Sequence, residues 1–202
     1  MAVEETQEAA QMTGMPPMLA YTIRAPIQPQ AQGGSALIRI GQGSSAQALT
    51  PSQPKDASYW IVILDANKPT TKVYEWVVQT NTTVPSDPNN YMNNPGYLFA
   101  VVTQALTPGQ VPQGPFYDYL VKHGAGRELQ KLEQISPYTD VPYGLFPRAN
   151  FSYILTGQCG SGGSVAYEHS SYTEPAVLLM SLMPLPNGQP PYSICDSYTF
   201  VH

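Results

Sequence analysis

Cys159 stands in the glycine-rich stretch "QCGSGGS", ten residues before His169. A thiol and an imidazole could act there as nucleophile and base, because the thiolate is the attacking species and a neighbouring imidazole can take its proton. That is the chemistry of Cys-dependent deamidases and peptidases. It also needs a third group to orient the imidazole, and no stretch of the sequence supplies one in a recognisable pattern. Cys159 and Cys195 could instead close one disulfide, or both could remain thiols; their number and spacing leave the two states open.

The remaining chemistry-bearing residues point away from catalysis. His123, His169 and His202 are far apart, and no HExxH, CxxC or Asp-x-Asp-x-Asp-Gly pattern occurs, so no metal site is expected. "GQCGSGG" lacks the Lys-Ser/Thr of a phosphate loop, and "HGAG" closes a helix where a phosphate site would open one. No cofactor is expected either. Asp118, Glu128, Glu133 and Asp140 have the spacing of solvated helix faces and not of a facing acid and base. His123 is expected to cap the carbonyl end of its helix, where positive charge is favourable.

Composition narrows the partners. Only 11% of the 202 residues are Asp, Glu, Lys or Arg, against 21 Pro, 16 Gly and 14 Tyr. The surface must then be polar yet mostly uncharged. Such a surface of Gln, Asn, Ser, Thr and Tyr suits contact with sugars or with other protein copies. A net charge of −5, with nine scattered Lys and Arg, argues against nucleic acid and against anionic membranes. The longest apolar runs, "YWIVIL" and "PAVLLMSLMPL", fall short of the roughly 20 residues a membrane-spanning helix needs. The acidic start "MAVEETQEAAQM" lacks the features of a signal peptide. The chain is expected outside the cell or within a particle, reached by another route.

The elements that would position these groups are mostly strands. Residues 1–35 read as an N-terminal arm, partly extended or disordered unless assembled, and 36–202 as a single β-rich domain. Within the arm, prolines interrupt "MLAYTIRAPIQPQ", which predicts an edge strand. "SALIRIGQG" alternates as a strand, and "SSAQALTPSQPKDA" reads as a loop. "YWIVILD" and "KVYEWVVQT" form a hairpin across the longer loop "ANKPTT". An Asn- and Pro-dense surface loop spans Asn81 to Asn94, and "YLFAVV" is the next core strand. Pro115 opens a short helix with Phe116 and Leu120 on one face; Leu129, Leu132 and Ile135 define a second that Pro137 stops. "FSYILTG", "VAYEHSSY" and "AVLLMSLMPL" are further strands, and the tail adds a last edge strand. The fold class is α+β: mainly an antiparallel β-sandwich, with a short helical hairpin packed on the sheets.

The succession "WIVILDANKPTTKVYEWVVQTN", "PGYLFAVVTQAL", "YLVKHGAG" and "FSYILTGQCGSGG" resembles the ILEI/PANDER-like domain over about residues 59–183. The resemblance implies a compact sandwich with helices on its sheets and a role in signalling or carbohydrate recognition without catalysis. It also implies a site. The family's sugar contacts, a carboxylate ending the second strand and an Arg after the Gly of the third, fall here on Gln79 and Tyr97. An amide and a phenol can hold a sugar by hydrogen bonding and stacking.

The expected function is a non-catalytic recognition domain that binds glycan or a protein surface through Gln79, Tyr97, Trp76 and Asn90. A structural subunit of a virion, tail or fibre, with copies of itself as neighbours, is the alternative from another class. A Cys/His hydrolase or deamidase is the third reading.

Overall fold

The computed structural model describes residues 18–139, 150–160, 166–184 and 191–199. Among them are ten strands: β1 (Leu19–Ala25), β2 (Leu37–Ile40), β3 (Gln47–Leu49), β4 (Ser58–Asp65), β5 (Lys68–Val78), β6 (Tyr97–Gln104), β7 (Ser152–Gln158), β8 (Ala166–Ser171), β9 (Ala176–Pro184) and β10 (Tyr192–Thr199). Two helices, α1 (Pro115–Lys122) and α2 (Arg127–Thr139), lie between β6 and β7. The strands form two open antiparallel five-stranded sheets, in the orders β10-β9-β1-β2-β3 (sheet A) and β5-β4-β6-β7-β8 (sheet B). The fold is therefore a mainly-β, sandwich-like α+β arrangement with two helices.

"YWIVIL" is a continuous apolar run because β4 is covered on both faces. Trp60, Val62 and Leu64 point to sheet A and pack with Tyr21, Ile38 and Leu178. Tyr59, Ile61 and Ile63 point the other way and pack with Phe116, Leu120 and Leu129 of the helices. β6 repeats the division, with Leu98, Ala100 and Val102 on one side and Phe99 and Val101 on the other. The order of layers is sheet A, sheet B, helices.

Carboxylates dock the helical layer. Glu168 of β8 accepts the backbone N–H groups of Gly126 and Glu128 at 3.0 and 2.8 Å, so a strand residue caps the start of α2. Its second oxygen accepts the hydroxyl of buried Tyr153 at 3.0 Å. Glu128 reciprocates from α2, accepting the N–H and hydroxyl of Ser170 at 3.1 and 2.6 Å. Burial works against ionisation of Glu128, but the Ser170 bonds and nearby Lys131 outweigh it and hold its pKa below the usual carboxylate value. The expected solvated face thus holds for exposed Asp118 and Glu133 and fails for Glu128. Asp140 lies outside the described residues.

Four local expectations need correction. β1 is not an edge strand: it pairs with β2 on one side and β9 on the other, and Pro26 and Pro29 lie beyond its end. Gln47–Leu49, within the stretch read as a loop, pairs with β2. The β4–β5 turn is only Ala66-Asn67, held by the Asp65 carboxylate accepting Asn67 N–H at 2.8 Å. Pro69 is accommodated near the start of β5, an edge strand whose register shifts there. Finally, α2 runs through Pro137 to Thr139, since a proline in the last turn forfeits one bond, to the Glu133 carbonyl.

Two-faced burial makes both sides of one strand sensitive. Ile61→Ala, facing the helices, and Leu64→Ala, facing sheet A, should each cost about 2–5 kcal/mol in urea unfolding. Glu168→Ala orphans two N–H groups and a buried phenol and should cost about 1–3 kcal/mol; Glu168→Gln, which keeps one acceptor oxygen, should cost less.

Candidate functional site

The thiol and imidazole that could have formed a nucleophile pair are on opposite faces of sheet B. Cys159 follows β7, donates its backbone N–H to the Tyr97 carbonyl at 2.9 Å, and is buried in the helix-side cluster. Burial, reinforced by the Asp87 carboxylate, pushes its pKa up to about 12, so the thiol stays protonated. His169 pairs in register with Ile154, whose side chain faces sheet A. The two positions are also five residues apart along the ladder, about 16 Å at strand rise. Nothing in this geometry activates the thiol.

Nor do the cysteines form a disulfide with one another. Cys195 lies on β10 opposite Ser181, on the outer face of sheet A, and its thiol donates to the Ser181 carbonyl at 3.4 Å. Cys159 lies beyond sheet B, on the far side of the sandwich core, whereas a disulfide needs Cα atoms within about 7 Å. Among the described residues no three His, Cys, Asp or Glu side chains gather as a metal-binding group.

His123 occupies the expected position at the end of α1 but not the expected state. Its N–H bonds the Leu120 and Tyr119 carbonyls, and its ring packs 4.7 Å from the Tyr119 centroid and 6.0 Å from that of Phe99. Burial, with a smaller push from Lys122, lowers its pKa to about 4. It is a neutral packing residue at pH 7, not a charged cap.

Of the four residues expected to contact ligand, the structure gathers three. Trp76 projects from β5 on the helix side and meets Tyr74 with centroids 4.6 Å apart. Tyr74 reaches Tyr91 at 5.9 Å, and Tyr91 meets Tyr97 edge-on at 5.0 Å. The four rings form a half-buried row. Asn90 adjoins it in a left-handed conformation (φ 53°) that asparagine tolerates, and its side-chain oxygen accepts the Asn93 amide. Asn89 donates to the Tyr91 hydroxyl at 2.9 Å. The Asp87 carboxylate pins the turn by accepting the N–H groups of Tyr91 and Met92, both at 2.9 Å.

Gln79 stands apart. It lies three residues beyond Trp76, exposed, and donates to the Asp56 carbonyl at 3.3 Å. Sequence reasoning missed Tyr74 and Tyr91. The period-2 spacing of Tyr74 and Trp76 in "KVYEWVV" was the available signal for the first; Tyr91 comes in from a loop, where no periodicity applies.

A cleft of about 350 Å³ opens away from this row, where α1 begins and α2 ends, between Pro112, Gly114, Tyr117, Asp118, Glu133 and Pro137. Partial burial and then the Glu133 carboxylate raise the pKa of the Tyr117 phenol.

No protein-family model matches the chain, and no curated protein matches it.

The folded pKa of His123 lies below the unfolded value of about 6.5, so the unfolded chain binds the extra proton between these pH values. Stability from this residue is complete above about pH 6.5 and is lost as pH falls toward 4. Replacing His123 by Phe should flatten the pH dependence of urea unfolding across that window, relative to the parent protein.

Proposed function

We propose that this chain is a non-catalytic recognition domain whose contact surface is the row Trp76–Tyr74–Tyr91–Tyr97 with its asparagine rim, and that the surface takes a carbohydrate. The observation that carries this reading is the row itself: four half-buried rings in successive contact, beside the side-chain amides of Asn89, Asn90 and Asn93. Aromatic rings stack on the apolar C–H faces of sugars, and amides both donate to and accept from hydroxyl groups. Asp87, the carboxylate within this loop, is already occupied by two backbone N–H groups, so the surface selects for neutral hydroxyls over charge.

The reading keeps the resemblance to the ILEI/PANDER-like domain as part of the proposal. It is supported by the order β4, β5, β6, α1, β7 and by helices packed on a sandwich. Of the two positions carried over from that family, Tyr97 joins the row and Gln79 does not, so the proposed contacts rest on the aromatic residues.

One observation favours a second reading, a structural subunit of an assembly. Both sheets are open, and β5 presents an eleven-residue edge that could template pairing with another copy. Under that reading the purified protein sediments as a concentration-dependent oligomer.

A glycan array probed with the folded protein should return binders, and Tyr97→Ala or Trp76→Ala should weaken them about tenfold, the equivalent of one aromatic contact. Asn90→Gly, which keeps the left-handed backbone, should weaken binding less. An array without binders, from protein with a cooperative unfolding transition, defeats the carbohydrate reading; a protein ligand competing at the same residues would replace it.

A further inference from the structure

Among the described residues, two side chains on the helix side of sheet B each bury a polar atom with no hydrogen-bond partner in the protein: the Trp76 indole N–H and the Tyr119 hydroxyl. Buried donors are nearly always paired, so an unpaired one calls for a reason in function. The two stand at one level of the sheet. Trp76 pairs in register with Ile61. α1 crosses the same strands from Tyr59, which meets Phe116 at 4.9 Å, to Phe99, which meets His123 at 6.0 Å. Phe99 pairs with Ile63, so the middle of that path is Ile61, and Tyr119 lies midway along it between Phe116 and His123.

The loop from β5 to β6 lies over this level. Tyr91, near its end, contacts Tyr74, the ring neighbour of Trp76. Burial and then the Asp87 carboxylate of the same loop raise the pKa of the Tyr119 phenol. Residues 82–90 are exposed, except for buried Pro85 and half-buried Asp87. Every hydrogen bond they make ends inside the loop, at Asp87, Asn90, Tyr91, Met92 or Asn93; none reaches α1 or the sheet. The ties to the rest of the molecule are at the two ends. The Asn81 carbonyl accepts the Gln113 N–H at 2.7 Å, and the Met92 carbonyl accepts the Gly160 N–H at 2.9 Å. A segment with exposed backbone and no hydrogen bonds to what it covers opens at low cost.

We propose that residues 82–90 form a flap hinged at Asn81 and Met92, and that the flap lifts to let the Trp76 Nε1 and Tyr119 Oη donors take acceptor oxygens of a bound ligand. The inference rests on the recognition surface proposed above and deepens it. The half-buried row makes the first contact, and the two covered donors make the second. An indole N–H can only donate, whereas a phenol can donate or accept. The pair therefore selects a neutral ligand rich in acceptor oxygens, as the ring and hydroxyl oxygens of an oligosaccharide are. With the flap closed both donors stay unpaired, so a ligand that pairs them has a differential affinity for the open state.

Deuterium exchange of the two indole N–H groups, followed by NMR on the full-length protein with isotope-labelled tryptophan, reads the flap. The Trp60 N–H donates to Glu75 at 2.9 Å on the sheet A side and serves as the reference for global unfolding. Trp76 should exchange several-fold faster than Trp60. Asp87→Ala, which frees the Tyr91 and Met92 N–H groups, should raise that ratio several-fold further, and Asp87→Asn, which keeps one acceptor oxygen, should raise it less. Cellotetraose, maltotetraose and chitotetraose are the binding probes. One that binds should slow Trp76 exchange, and Tyr119→Phe should weaken it about tenfold while raising the urea midpoint, because the phenylalanine carries no unpaired hydroxyl. Equal exchange at the two indoles, a ratio unmoved in both Asp87 variants, or a lower urea midpoint in Tyr119→Phe overturns the inference. A tetrasaccharide bound equally well by Tyr119→Phe also overturns it and leaves the carbohydrate reading standing. An opening flap with no tetrasaccharide bound supports the flap and defeats the carbohydrate reading.

Discussion

β4 and β6 are buried on both faces, and the rest of the molecule is arranged to meet that condition. Six consecutive apolar side chains, Tyr59 to Leu64, cannot be satisfied by a two-layer sandwich, in which alternate positions would face water. Sheet A covers one face; the helices and the Asn/Pro loop cover the other. At about 25 cal/mol per Å² of apolar surface, leaving either side open would forfeit several kcal/mol, comparable with the whole stability of a domain.

Covering the second face requires the helices to be held in register with the sheet, and apolar contact by itself is not directional. The exchange between β8 and α2 supplies direction. Glu168 gives a carboxylate to a helix start that lacks a local side-chain partner, while Glu128 gives one to the outward N–H of an edge strand. Each group satisfies donors that burial would otherwise leave unpaired, and the outer edge of β8 is blunted by the same contacts. With α2 committed to β8, the helical layer lies toward that edge of sheet B. β5, at the opposite edge, is covered by the loop that contains Tyr91, and there the aromatic row forms.

The low charge of the chain has a structural counterpart in the way its polar groups are used. Buried Gln104 accepts the Ala36 N–H and donates to the carbonyls of Gln28 and Gly34, tying the segment between β1 and β2 to the end of β6. Asn81 donates to the carbonyls of Gly109 and Val111, anchoring the start of its loop against the turn before α1. Amides serve as neutral staples between backbone segments, which costs less desolvation than ion pairs would.

The chain's own residues determine most of its strands and both helices, whereas Gln47–Leu49 becomes a strand only by pairing with β2. "YWIVIL", "YLFAVV" and "FSYILTG" read as core strands, and Pro115 and the Phe116–Leu120 spacing mark α1, because apolar periodicity and proline chemistry act within a few residues. β1 was legible as a strand but not as a central one, since its neighbours β2 and β9 are separated in sequence by more than a hundred residues. The site divides the same way. Trp76, Tyr97 and Asn90 could be named from the sequence, but their union required Tyr74 and Tyr91, brought together by strand pairing and by a loop whose path no local rule encodes. The separation of Cys159 from His169, the neutrality of His123 and the exchange between Glu168 and Glu128 were decided by tertiary structure alone. Facing, burial and long-range hydrogen bonding depend on which elements pack together, and that is a property of the assembled layers, not of any stretch within them.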